Sequence, residues 1–224
     1  MTGRLDAVLF DVDNTLCEYR RTGADILDVA FERVGVDHFF TAAEYNDRYG
    51  EFTDESDSVA DLRERCFSTF ARERGYDPDV GRAVARVFAD ERDHTNVRFV
   101  DAARETLDAL HGEVPLAAVT NGAPEMQTAK LAGLGVTDYF ETVVYAGYDT
   151  PAKPSPEPFH AALDHLGVVP ERALHVGDSL GSDVAGARAA GVGAAWFPGD
   201  QDPTAPDPEP DYVLESIADL TDLW

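Results

Sequence analysis

The sequence predicts an α/β protein, a mostly parallel sheet covered by helices and interrupted by an all-helical insertion. Three observations carry that prediction. The run LDAVLFD, residues 5–11, has the length and apolar character of a fully buried strand centred on Val8, Leu9 and Phe10. Residues 22–92 then hold helical stretches and no convincing strand. From Asn96 onward strands alternate with helices, a rhythm that requires parallel pairing through helical crossovers.

The insertion reads as four helices, at residues 22–34, 42–49, 58–71 and 78–89. In the third, Val59, Leu62, Cys66, Phe67 and Phe70 recur near helical spacing, and in the fourth Val80, Val84, Val87 and Phe88 do so. The alternating part begins with a helix at 101–110 and a strand at 115–120. A helix at 124–132 follows, with Pro124 in the first turn, where its missing N–H has no intrahelical partner to lose. Next come a strand at 142–145, a helix at 156–166, a strand at 172–176 and a helix at 182–190. Residues 194–197 and 212–214 read as late strands, and the acidic, proline-rich stretch 199–210 between them as a surface loop. The first strand belongs with this sheet, so the helical unit is an insertion after strand one.

The chain has 224 residues, 43 of them acidic and 18 basic, for a net charge of −25. Such a surface repels a nucleic acid backbone and argues against a DNA- or RNA-binding module. No apolar run is long enough to span a bilayer, and the N-terminus enters a strand-like run without a secretory signal. Cys17 and Cys66 make neither a metal spacing nor a disulfide framework, which points to a reducing, cytoplasmic setting. The basic residues are sixteen arginines and two lysines, Lys130 and Lys153. An acidic, lysine-poor but well-patterned chain is expected from a high-salt organism, where ions screen the surface repulsion.

In an open parallel sheet, ligands bind at the carboxyl ends of the strands. Polar residues collect at four such ends: Asp11 and Asp13; Thr120, Asn121 and Gly122; Lys153; and Asp178 with Asp183. Taken singly, each has an ordinary explanation as a turn former, a solvated lysine or a helix cap. Together they make coherent chemistry. Two or three carboxylates suit Mg²⁺. A hydroxyl, backbone N–H groups and a lysine make an anion cradle. A carboxylate beside a cation and a lysine stays ionised and can act as a nucleophile.

With these motifs the sequence resembles the haloacid dehalogenase-like (HAD) hydrolase superfamily, in its phosphatase branch and in the manner of a phosphoglycolate phosphatase. The motifs stand here as FDVDNTL at 10–16, VTNG at 119–122, Lys153 and GDSLGSD at 177–183. The resemblance implies a Rossmann-like core with helices on both faces, formed by residues 1–16 and 95–224, and a helical cap formed by 17–94. It implies that Asp11 attacks phosphorus to form an aspartyl-phosphate. Asp13 would protonate the leaving oxygen and later activate water. Thr120, Asn121, Gly122 and Lys153 would bind phosphate, with Thr120 and Lys153 also serving the reaction. Asp11, Asp13 (through its backbone carbonyl), Asp178 and Asp183 would hold or support Mg²⁺. Asn14 stands where many relatives have Gly, and Asn also tolerates unusual backbone angles.

Retention of Asp13 and Asp178 favours phosphoryl transfer over dehalogenation. The absence of lysine between Cys17 and Thr95 closes the phosphonatase branch, which needs a cap lysine for a Schiff base. A phosphomutase of the same superfamily and a catalytically silent interaction protein remain as alternatives. The expected substrate is a small phosphorylated metabolite, and the expected state a monomer or homodimer. Arg20, Arg21, Arg48, Arg63 and Arg65 are candidates to meet a second anionic group, against the plainer reading that they balance an acidic helical surface. Tyr19, Tyr45 and Tyr49 fit either substrate stacking or helical core packing, and the histidines, His175 included, read as structural.

Overall fold

The computed structural model describes residues 5–52, 56, 58–199 and 201–223. Residues 1–4, 53–55, 57, 200 and 224, which fall within the expected core, cap and acidic loop, lie outside the described residues. The chain divides into two compact units, one of residues 1–18 and 97–224, the other of residues 19–96.

The first unit is built on a six-stranded parallel sheet. Its strands are β1 (Ala7–Phe10), β4 (Leu116–Thr120), β5 (Thr142–Tyr145), β6 (Ala173–Gly177), β7 (Gly193–Trp196) and β8 (Tyr212–Val213). Their spatial order is β5-β4-β1-β6-β7-β8. β1, β4, β6 and β7 are buried along their whole length. That burial on both faces is why they read as continuous apolar runs rather than as alternation. The register pairs Phe10 with Ala118 on one side and with Val176 on the other. Sequence order reverses direction at β1, with β4 on one side and β6 on the other. This is the switch point at which an α/β sheet opens a crevice at its carboxyl edge.

Helices α5 (Ala103–Leu110), α6 (Pro124–Leu134), α7 (Glu157–Leu166) and α8 (Ala185–Ala189) flank the sheet. Phe159 and Leu163 of α7 join Leu9, Val119, Val184 and Trp196 in one buried cluster. Gly186 has no side chain because Phe159 leaves no room; a Cβ there would lie 2.6 Å from the ring. Two features depart from the sequence expectation. The helix expected from residue 182 begins as a π-helical turn, Leu180–Val184, and becomes α-helical at Ala185. A separate two-stranded sheet pairs β2 (Cys17–Tyr19) with β3 (Val97–Phe99). Strands of three residues are too short to leave a periodic signature.

The second unit is helical: α1 (Gly23–Val34), α2 (Ala42–Arg48), α3 (Val59–Glu73) and α4 (Pro78–Glu91). Each start is marked in the sequence by a capping residue. Thr22 with Asp25 and Thr41 with Glu44 form reciprocal capping boxes, while Ser58 and Asp77 cap α3 and α4. The core is aromatic: Phe31, Phe40, Tyr45, Phe67, Phe70 and Phe88 are all buried. Phe40 and Phe70 stack with centroids 4.7 Å apart. α4 crosses α3 at Gly81, where a Cβ would come within 2.3 Å of the Phe67 carbonyl oxygen.

Candidate active site

The four sequence-predicted strand ends converge within the parallel-sheet unit. Asp11 follows β1 directly, its amide donating to the Val176 carbonyl at 2.9 Å, so β6 fixes where its side chain leaves the sheet. Asn14 turns the chain with φ 56°, the left-handed region that Asn tolerates better than most residues. Its Nδ2 lies 3.4 Å from Asp178 Oδ2. Asn14 and Asp178 line a cleft of ≈ 780 Å³.

Lys153 is the hub. Its buried ammonium donates to Asp11 Oδ1 at 2.7 Å, to Asp183 Oδ1 at 2.6 Å and to the Val119 carbonyl at 2.7 Å. All three ammonium protons therefore have acceptors, which is what a buried charge requires. Burial works against the charge, but Asp11 and Asp183 together raise the lysine above its ordinary pKa. Burial pushes Asp11 up to about 7 against the pull of Lys153, with repulsion from Asp183 adding to the rise. Burial and the same repulsion raise Asp178 to about 6. At Asp183 burial is overcome: the His175 hydrogen bond and the Lys153 charge hold its carboxyl far below the usual range.

Asp183 is shaped by the π-turn. His175 Nε2 lies 2.9 Å from Oδ1, and the Ser179 amide donates to Oδ2 at 3.1 Å. Burial lowers the His175 pKa against the opposing pull of Asp183, and because a carboxylate oxygen only accepts, Nε2 is the donor in this hydrogen bond. Gly177 must lack a side chain because Asp183 lies across it; a Cβ would sit 2.3 Å from the carboxyl carbon.

Asp11, Asp178 and Asp183 each offer a carboxylate oxygen, all within 4.8 Å of one another. Three carboxylates face one ammonium, and two of the three have raised pKa values because they are buried near like charge. A hard, oxygen-preferring dication relieves that repulsion, so the donor set fits Mg²⁺.

The model of the haloacid dehalogenase-like hydrolase family matches residues 5–191. The chain belongs to that family. It is a HAD-like enzyme of the phosphatase branch. Among curated proteins, a phosphoserine phosphatase of Thermus thermophilus is 35% identical over 71% of this chain and 64% of its own length. The chain thus spans just under two thirds of that relative. A ribulose-1,5-bisphosphate 5-phosphatase of Halopiger xanaduensis is 31% identical over 97% of this chain and 98% of its own. Among solved structures, the HAD-hydrolase YfnB of Bacillus subtilis, bound to magnesium, superposes with a TM-score of 0.78. It has 24% identity and coverage of 99% of both chains, which establishes the shared fold.

Within this HAD fold, Thr120 is buried at the end of β4, with its Oγ1 accepting from the Gly122 amide at 3.3 Å. The Asn121 side chain is spent on the Lys153 backbone. Asp13 meets two residues that sequence reasoning passed over. Lys130 Nζ lies 2.5 Å from Oδ1 and 2.7 Å from Oδ2, and Gln127 Nε2 donates to Oδ2 at 2.7 Å. The sequence signal that points to Lys130 is its rarity, since the chain has only two lysines. His175 is buried, as expected, but it also orients Asp183.

The candidate arginines mostly follow the plainer reading. Arg21 pairs with Glu91, Arg48 with Glu51 and Glu73, and Arg65 with Asp61. Arg20 is not free either. Arg63 differs, being buried with its guanidinium over the Phe88 ring. Tyr45 packs edge-on against Phe67, and Tyr49 against Tyr45. Among the described residues no helix is long and apolar enough to cross a membrane.

Proposed function

We propose that the chain is a Mg²⁺-dependent phosphomonoester hydrolase that acts on a small phosphorylated metabolite through an aspartyl-phosphate on Asp11, with residues 17–94 as its cap. The observation that carries this reading is Lys153 bridging Asp11 and Asp183 at 2.7 and 2.6 Å beside a third carboxylate, Asp178. The bridge holds a buried carboxylate in place and supplies the positive charge that a phosphoryl group needs on approach.

An Asp11 oxygen attacks phosphorus, and the bond from phosphorus to the leaving oxygen breaks. Asp13 gives its proton to that oxygen. As a carboxylate, Asp13 then takes a proton from water, the water oxygen attacks the phosphorus of the aspartyl-phosphate, and inorganic phosphate departs from a regenerated Asp11. The Thr120 hydroxyl, the Asn121 and Gly122 amides and the Lys153 ammonium hold the phosphoryl oxygens. Bound Mg²⁺, held by Asp11, Asp178 and the Asp13 carbonyl and supported by Asp183, would neutralise charge on the phosphoryl group and orient it.

The test is phosphate release from a panel of phosphoesters in molar KCl, with and without Mg²⁺, comparing wild type with D11N. The panel spans phosphoglycolate, phosphoserine, sugar phosphates and nucleoside monophosphates. Turnover that needs Mg²⁺ and disappears in D11N is the expected result. Folded, metal-binding protein with no turnover on any ester would overturn it.

A further inference from the structure

Both lysines of the chain are buried, and each is bound to one aspartate of the same short segment: Lys153 to Asp11 and Lys130 to Asp13. Of the 61 charged residues, 59 are acidic or arginine, and arginine serves the surface pairs. Lysine survives where a compact ammonium must reach a carboxylate from inside the protein, a task for which the planar guanidinium is poorly shaped.

Lys130 and Gln127 lie three residues apart on α6, hence on one helix face. They are 2% and 1% exposed, whereas the Asp13 side chain is 40% exposed. The pair therefore grips the carboxylate from its protein side and leaves the other side open. Oδ2 accepts from both residues and Oδ1 from Lys130 alone, so Oδ1 keeps the larger share of free acceptor capacity. Gly122 completes the arrangement: the Gln127 amide lies across it, and a Cβ there would fall 1.8 Å from Nε2. The phosphate-binding turn after β4 and the grip on Asp13 are thus one packed unit.

We infer that Lys130 and Gln127 are positioning residues that lock the Asp13 carboxylate in the orientation from which it serves the leaving oxygen. The inference rests on the acid role assigned to Asp13 above. A merely structural ion pair would affect folding, or all substrates alike. A positioning pair affects the substrates that need Asp13.

The experiment compares para-nitrophenyl phosphate, whose leaving anion is stable without a proton, with phenyl phosphate, whose leaving anion is much less so. Wild type, K130M, Q127L, D13N and K130M/D13N are assayed with Mg²⁺, and circular dichroism melts establish that each is folded. The expected result is a kcat loss of roughly 10- to 100-fold on phenyl phosphate for K130M and Q127L, only a few-fold on the nitrophenyl ester, and little change in KM. K130M/D13N should be no worse than D13N, because the two changes break one function. Q127L keeps the charge pair, so it decides the matter if K130M does not fold. Equal losses on both esters, or additivity in the double variant, would overturn the inference while D13N remained selective. If D13N itself shows no preference between the esters, the acid role of Asp13 fails and this inference fails with it.

Discussion

Asn121 holds the backbone of Lys153 from both sides: its Nδ2 donates to the Lys153 carbonyl at 3.1 Å, and its Oδ1 accepts the Lys153 amide at 2.8 Å. The two residues come from different strand ends, 32 positions apart. The side chain thus copies a backbone ladder and fixes the point from which the lysine reaches Asp11. Removing it should misplace the ammonium rather than unfold the protein. Asn121→Ala is expected to lose about 10- to 100-fold in kcat. Its Tm should fall by only a few degrees, since two partly exposed hydrogen bonds are worth about 1 kcal/mol each.

Metal binding should stabilise the fold through the carboxylate triad. A ligand at 100 times its Kd adds about 2.7 kcal/mol to a folded state that alone binds it. Mg²⁺ should therefore raise Tm by several degrees, and EDTA should reverse the rise. D178N should abolish the shift while leaving a cooperative melt, as followed by differential scanning calorimetry.

Gly122→Ala should displace Gln127, because the new Cβ and the amide cannot share the space. The forced repacking is expected to cost about 1–3 kcal/mol in urea unfolding. Activity should fall further than stability, since the displaced amide is an Asp13 partner.

Acid should weaken the helical unit only once pH falls below the ordinary carboxylate range. The Thr22 hydrogen bonds lower the Asp25 pKa from 3.8, and those of Thr41 lower the Glu44 pKa from 4.5. A carboxyl whose folded pKa is depressed contributes stability above its unfolded value and loses it as pH falls through the folded one. Stability should therefore drop on acidification below the ordinary carboxylate range. The deficit of Thr22→Ala against wild type should shrink over the same window in pH-dependent melts.

The cysteines should be silent in the native protein. Burial pushes both Cys17 and Cys66 up to about 12, with Asp13 adding to the rise at Cys17, so neither is a thiolate near neutral pH. A thiol reagent such as dithionitrobenzoate should label neither at pH 8 and both in urea. Labelling of native protein at either position would contradict the burial described here.

Much of the fold was legible because its signals are local. The buried strands β1, β4 and β6 are apolar runs bounded by polar turns, and each helix of the second unit announces its start with Thr22, Thr41, Ser58 or Asp77. The three-residue strands β2 and β3 and the π-turn at Leu180–Val184 were not legible. Two of these depend on pairing between distant segments and the third on how one helix enters its first turn.

Which residues stand at the strand ends is written locally, because a carboxylate after an apolar run, a Thr-Asn-Gly turn and a rare lysine are each short-range features. Who touches whom there depends on how the strands are ordered in space. Lys130 and Gln127 reach Asp13 across 117 and 114 residues, and the Asn121 side chain is engaged by the Lys153 backbone. The reason is the strand order: setting β4 beside β1 brings the start of α6 to the segment that carries Asp11 and Asp13, and no pattern within either segment encodes that neighbourhood.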